Sequence, residues 1–453
     1  MSAEQRTASA EQNIVALICN EMKILIIGGG WAGIAAAVEA AGRGNTVLLV
    51  EERGYLGGRA RSFVDRETGH HIDNGQHVMM GCYHALLNVL RTLGTQHLLE
   101  PQRSLTVTFV DASQRKHTLD TSPLPGRFGV VAGILRLTGV GVLSRIAAIR
   151  LALSIARGST KGVGTTCAEF LRQARQPQDI IQRFWEPVVL ATLNAPLETA
   201  SAELLVAVMK LAFLGSSSDS ALLVPSCGLS DLIEPVASWL KQRGGTVLLH
   251  TSVDRLIIEN NVCTKAVLSD GSTESVDAVV SCIPQRALER LCANSGTAAR
   301  LPEAPAMSPI VSVYLWYEHQ WMHEELLAAL GTTIQWVFNK RRIAPGLVAL
   351  TVSAGHSIVG CTQEQIIALC DAELRTLLPE IGSARLLKGL VIKEKTATPL
   401  LGPNTLRPST HQLTPCAQNL FIAGDWTATG LPATIEGAAR SGIAAIESAL
   451  SAR

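Results

Sequence analysis

Apolar residues fall along this chain in two rhythms. Four short runs are apolar almost throughout: Lys23–Ile27 (KILII), Thr46–Val50, Ala278–Pro284 (AVVSCIP) and Asn419–Asp425 (NLFIAGD). Such runs predict strands buried on both faces of a parallel sheet. Elsewhere the spacing is helical. Ile34–Ala41, Cys82–Leu93 (ended by Gly94), Cys167–Ala174, Asp179–Trp185, Leu229–Arg243 (ended by Gly244-Gly245), Thr362–Leu378 and Leu431–Ala449 predict helices. Residues 63–73 predict a hairpin. Leu105–Val110 and Lys116–Leu119 predict a strand pair joined by Asp111-Ala112-Ser113-Gln114. Thr246–His250, Ser252–Asn260, Cys263–Ser269 and, after an Asp270-Gly271 turn, Glu274–Ser281 read as strands. Ile310–Ala354 alternates strand and loop around Trp316, Trp321 and Trp336.

At 453 residues the chain exceeds one core, which predicts two or three lobes. Its net charge of +1 gives no electrostatic reason to expect nucleic acid as a partner. With 17% charged and 47% hydrophobic residues, it suits a greasy cavity or membrane contact. The 10 cysteines are scattered without a CxxC pair or His/Cys cluster, so no metal site is expected and reduced thiols in a cytosol are. In residues 1–21 the apolar run Ile14–Cys19 is too short for a signal peptide and lacks a basic segment before it, so a disordered leader is expected.

The chemistry-bearing motif opens directly after the first apolar run. Gly28-Gly29-Gly30-Trp31-Ala32-Gly33 leads into the alanine-rich helix, and the second strand ends on Glu51, 21 positions after Gly30. This is strand, GxGxxG, helix, strand, acid. Gly28 permits the tight turn, Gly30 admits a pyrophosphate to the backbone, and Gly33 lets helix and strand pack closely. The helix N-terminus favours the anion, and Glu51 stands where a ribose hydroxyl needs an acceptor. A glycine turn between any strand and helix would explain the glycines alone, not the acid at this distance.

Two other stretches stand out. Pro123–Gly158 is apolar and punctuated by Arg127, Arg136, Arg145, Arg150 and Arg157, with Gly139 and Gly141 dividing it into two helices. No segment of it reaches 18 residues without a charge, so it does not span a membrane. In the second helix Arg150, Ser154 and Arg157 share one side, with Ile146, Ile149 and Leu153 opposite. That pattern fits a helix lying in a membrane interface and fits equally an ordinary packed lobe. Trp185-Glu186-Pro187 followed by Leu193-Asn194-Ala195-Pro196 is the second. A helix starting with Pro187 in its first turn explains the prolines but neither Trp185 nor Glu186.

After Glu51 the chain continues to Gly57-Gly58-Arg59, and near its end it carries Ala423-Gly424-Asp425 and Pro432-Ala433-Thr434-Ile435-Glu436-Gly437. With these motifs the chain, from Met22 onward, resembles the FAD-dependent carotenoid/squalene desaturase group of the flavin amine-oxidase superfamily. Ala423–Gly442 and Trp185–Pro196 look most like its squalene-associated members in bacterial hopanoid pathways. The resemblance implies an α/β chain (α+β overall) with a discontinuous Rossmann-type FAD-binding lobe from 22–80, 222–300 and 400–453. A mixed-sheet and helical substrate lobe would take 81–221 and 301–399.

FAD would then lie on Gly28, Gly30, Trp31, Ala32 and Gly33, with Glu51 on ribose, Val253 at adenine, and Gly57, Gly58 and Arg59 at the diphosphate. Gly75, in Asp73-Asn74-Gly75-Gln76-His77, would come beneath the ring; the same residues also read as an Asn-Gly turn. Gly424 and Asp425 would bond the ribityl or diphosphate portion, and the helix start at Thr434 and Ile435 would face the pyrimidine edge. The implied activity is reductive: hydride from reduced FAD to the allylic carbon of hydroxysqualene as water leaves, giving squalene. A leaving hydroxyl needs a proton donor. Glu186, Asp73, His77 and Glu436 are the candidates, and the sequence does not choose among them. The implied partners are a hydrophobic C30 isoprenoid, an external electron donor (a reduced nicotinamide or a redox protein, since no second Gly-rich motif is present) and a membrane surface at the cytoplasmic face. A carotene desaturase or amine oxidase shares the nucleotide motifs, and a non-catalytic prenyl carrier shares the fold.

Overall fold

The structure is a computed structural model that describes residues 21–452 apart from 103, 123, 125, 217 and 410–415. The expected leader, all but Glu21, lies outside the described residues.

The four apolar runs do form parallel strands. Thr246–Leu248, Thr46–Val50, Lys23–Ile27, Ala278–Ser281 and Leu420–Ile422 stand side by side in that order. The three central strands are buried almost throughout, which is why they carry no polar alternation. On one face lies the helix Trp31–Gly42, whose alanines are nearly all buried, crossed by the last helix, Ile435–Ser451. The crossing requires a missing side chain: a Cβ on Gly442 would stand 2.1 Å from the Ala32 carbonyl oxygen. First and last segments of the chain therefore share one core.

A second, seven-stranded sheet runs Leu386–Pro399, Met307–Tyr317, Leu347–Ser353, Trp336–Asn339, Leu326–Leu330, Thr106–Asp111, Lys116–Asp120. All its pairs are antiparallel except Leu326–Leu330 with Thr106–Asp111. The helices between residues 126 and 213 pack on it around Phe184, Trp185 and Phe213. Helix Gln363–Leu377 covers the other side of the sheet, opened by a capping box between Thr362 and Gln365.

Several expectations are corrected. Glu274–Ser281 is two strands in two sheets, because Asp277 leaves the first to bond the Lys23 backbone, its carboxylate accepting the Lys23 N–H at 2.7 Å. Leu229–Arg243 breaks into a turn at Asp231–Ile233 and a short helix Val236–Lys241, since Pro235 brings no amide hydrogen. Helix Glu186–Leu193 carries Pro187 in its first turn as expected, but it is not a fresh start. The helical path is continuous from Gln178 to Leu193, with a π turn over Ile181–Trp185 whose wider ring accommodates the missing donor. In Val142–Ala156 the buried side is Ser144, Ala148, Leu151, Ala152 and Ile155; Ile146 and Leu153 are exposed beside Arg150, while Ile149 packs partly into the core. Finally, Cys292 and Cys416, 124 positions apart, form a disulfide, so the expectation of reduced thiols fails for that pair. Spacing in sequence could not reveal it.

Candidate flavin site

The glycine loop carries out three different tasks. Gly28 has φ +101° and donates its N–H to Val50 at 2.8 Å. A Cβ on Gly33 would stand 1.9 Å from the Gly28 carbonyl oxygen, whereas one on Gly30 would meet nothing within 4 Å. Tight turn, close packing and an open approach to the backbone are thus separated as a dinucleotide cradle requires. Trp31 and Ala32 open the buried helix, with the Trp31 indole N–H donating to the Ala60 carbonyl at 3.3 Å. Buried Glu51 accepts the Gly29 N–H at 2.6 Å and the Arg53 N–H at 2.9 Å, which orients it at the loop.

The second motif lies on the first. Gly57 donates its N–H to Gly29 at 2.9 Å, and Gly58, in left-handed backbone, is so close that a Cβ would stand 3.3 Å from Gly30 Cα. Arg59 then reaches across to the far end of the chain. Its guanidinium pairs with Asp425 at 2.8 Å and donates to the Ala397 carbonyl at 2.6 Å; the carboxylate beside it holds its pKa above the usual arginine value. Gly424 has φ +142°, and the Trp426 ring occupies the space where its Cβ would be. Thr434 caps the last helix, its hydroxyl accepting the Gly437 N–H at 3.1 Å, and Ile435 begins it. Backbone bonds from His250 to Arg53 and from Thr251 to Glu51 bring the start of the Val253 strand alongside the acid.

The loop Asp73–His77 is bonded to the same assembly, Asn74 donating from its backbone to Arg61 and from its side chain to the Arg59 carbonyl. Asp73 is buried and spent as an acceptor, from the Ser62 hydroxyl at 2.7 Å and the Leu229 N–H at 3.0 Å, with the Lys340 ammonium 3.8 Å away. Burial pushes the His77 imidazole below its ordinary pKa, against the opposing charge of Asp73, which favours the neutral ring. Glu436 is also committed: its carboxylate accepts the Ala85 and Leu86 N–H groups, capping helix His84–Leu93 from another helix, and pairs with Arg440 at 2.6 Å. Asp73 and His77 thus stand together beside Arg59. Glu186 stands apart in the helical lobe, half-buried, without a hydrogen-bond or ion-pair partner among the described residues, its pKa raised by desolvation and then by Glu198.

The flavin containing amine oxidoreductase family matches residues 31–447. The chain belongs to that family. Within it, a hydroxysqualene dehydroxylase of Sinorhizobium fredii is 31% identical over 94% of this chain and 98% of its own. One from Rhodopseudomonas palustris has the same identity and coverage. A zeta-carotene desaturase from Synechocystis is 28% identical over 56% of this chain and 58% of its own. Among solved structures, an oxidoreductase from Methanosarcina mazei has a TM-score of 0.73 at 16% identity, covering 94% of this chain and all of its own. Like other members, this flavoprotein is an FAD-dependent oxidoreductase of the amine oxidase superfamily. The open Gly30 cradle and the Arg59–Asp425 pair provide residues that fit such a cofactor.

Two neighbours of the family motifs escape sequence reading. Tyr314, within the seven-stranded sheet, and Lys340, just after its strand Trp336–Asn339, bond or pair with Asp73 across more than 240 positions. Lys340 leaves no local signal. Tyr314 leaves one: a phenol inside an apolar strand must find a partner.

Proposed function

We propose that this enzyme removes the hydroxyl of hydroxysqualene reductively to give squalene, as a step of squalene and hopanoid biosynthesis. The observation that carries the reading is end-to-end similarity to hydroxysqualene dehydroxylases at 31% identity, against 23% for a phytoene desaturase over similar length. FAD, held by the glycine loop, Glu51, Val253, Gly57–Arg59, Gly75, Gly424–Asp425 and the helix start at Thr434–Ile435, supplies hydride when reduced. The chain's own task is to exclude water around a C30 isoprenoid and to protonate the departing oxygen.

Glu186 is the proposed acid. A carboxyl desolvated and without a cation partner holds its proton to higher pH than an ordinary glutamate, whereas Asp73 accepts hydrogen bonds from Ser62 and Leu229, and burial favours the neutral form of His77 beside it. In the proposal electrons arrive from an external reduced nicotinamide or redox protein at a membrane surface on the cytoplasmic side. Anaerobic mixing of chemically reduced enzyme with hydroxysqualene tests the reading. Wild type should reoxidise and release squalene, and failure to do so removes the function. Glu186→Gln should keep its flavin and slow that step about 10²-fold or more. The wild-type rate should fall as pH rises through a pKa above the ordinary glutamate value, because the protonated form is the active one. An equal rate in the variant removes Glu186.

A further inference from the structure

Strand Met307–Tyr317 runs inside the seven-stranded sheet, and its Tyr314 is fully buried against Ile72, Trp316 and Leu347. The hydroxyl donates to the Asp73 carbonyl at 2.9 Å and accepts the Asp73 N–H at 3.0 Å and the Gln76 side-chain amide at 2.5 Å. One donor and two acceptor sites are the whole capacity of a phenol, and all three go to one loop. Lys340, one residue past strand Trp336–Asn339 of the same sheet, adds its ammonium 3.8 Å from the Asp73 carboxylate. The loop so held is the one that bonds the Arg59 carbonyl through Asn74.

We propose that Tyr314 and Lys340 form a clamp by which the seven-stranded sheet positions the loop Asp73–His77 against the second glycine motif, and thereby sets the seat of the bound flavin. They are positioning residues, since both act through the loop. The inference rests on the FAD assignment alone and not on the substrate.

The same strand supplies an internal control. Tyr317, also buried, donates its hydroxyl to Asp371 at 2.7 Å on helix Gln363–Leu377, away from the loop. Removing either hydroxyl keeps the ring and deletes hydrogen bonding at a buried site, so both variants should melt lower than wild type. Only Tyr314→Phe should alter the visible circular dichroism of bound FAD and weaken FAD binding about tenfold, the loss expected for one or two net hydrogen bonds. Lys340→Met, which keeps the aliphatic stem and removes only the ammonium facing Asp73, should change the same spectrum in smaller measure and serves if Tyr314→Phe does not fold. Tyr314→Phe with wild-type spectrum and affinity, or Lys340→Met with wild-type spectrum when Tyr314→Phe is unfolded, overturns the clamp. These readouts need no hydroxysqualene, so they stand or fall apart from the proposed reaction.

Discussion

At Gly30 a methyl group would meet nothing within 4 Å, and at Gly33 it would stand 1.9 Å from a carbonyl oxygen. Two glycines three positions apart therefore fail in different ways when substituted. Gly30→Val should fold with a near-native melting curve and emerge colourless, because its side chain fills the approach to the backbone. Gly33→Ala should lower stability by several kcal/mol or prevent folding, since helix and strand cannot separate without losing the packing between them. Flavin absorbance and thermal melts of the two variants check this, and a fully yellow Gly30→Val would place the cofactor elsewhere. A second residue-scale effect concerns acid. Asp65, in the hairpin loop, is buried, which alone would raise its pKa; hydrogen bonds from Lys388 and Thr68 outweigh this and hold it at about 2. A carboxylate so depressed adds stability above its unfolded pKa of about 3.9, and that stability is lost as pH falls toward 2. Lys388→Met should therefore narrow the stability gap to wild type as pH drops through that window, read by denaturant midpoints.

Among the elements, the helical path Gln178–Leu193 shows how far a prediction from local pattern reaches: Pro187 does stand in the first turn of Glu186–Leu193, but that helix continues one already under way. Pro187 is a sound signal for a helix start, yet the π turn before it lets the helix run on. The path ends at Asn194, buried and left-handed at φ 49°, which joins three elements. Its amide donates to the Ser308 carbonyl at 3.3 Å and the Thr398 hydroxyl at 2.9 Å, its side-chain oxygen accepts the Ala354 N–H at 2.7 Å, and its carbonyl accepts the Ser308 hydroxyl at 2.6 Å. Asn194→Ala would orphan the Ala354 N–H and strain the backbone, and should cost about 3 kcal/mol in denaturant unfolding. The capping-box helices, at Thr166 with Glu169 and at Thr362 with Gln365, needed no such tertiary help, and their starts are readable from residue types three apart.

For the whole molecule, the stretch of sequence between Asp120 and Glu169 has a consistent sign. That stretch contains no acidic residue and carries Arg127, Arg136, Arg145, Arg150, Arg157 and Lys161. Two helices expose Phe128, Leu135, Val142, Leu143, Ile146 and Leu153, with Leu143 80% exposed. No helix among the described residues is long and apolar enough to cross a membrane. The proposed membrane contact, apolar residues among cations, should therefore be peripheral and require anionic lipid. Replacing Leu143, Ile146 and Leu153 by glutamate should abolish co-sedimentation with phosphatidylserine-containing vesicles, whereas Ile149, packed partly inward, is the wrong residue to change. Equal sedimentation of variant and wild type would return this lobe to ordinary packing.

The sequence by itself determined what local physics governs. Unbroken apolar runs flanked by turn residues point to doubly buried strands, and glycines followed by an acid at ribose distance point to a nucleotide turn. Capping residues and the periodicity of Gln363–Leu377 likewise depend on near neighbours. Tertiary structure alone decided which distant groups satisfy one another. Arg59 meets Asp425, Glu436 caps a helix 350 positions away, Cys292 meets Cys416, and Tyr314 holds Asp73. Each is a buried polar or reactive group whose partner is chosen by the packing of sheets, not by spacing along the chain. For the same reason the candidate acids were legible as residue types and not as roles: only burial and hydrogen-bond partners distinguish a carboxylate held as an acceptor, such as Asp73, from one left desolvated, such as Glu186.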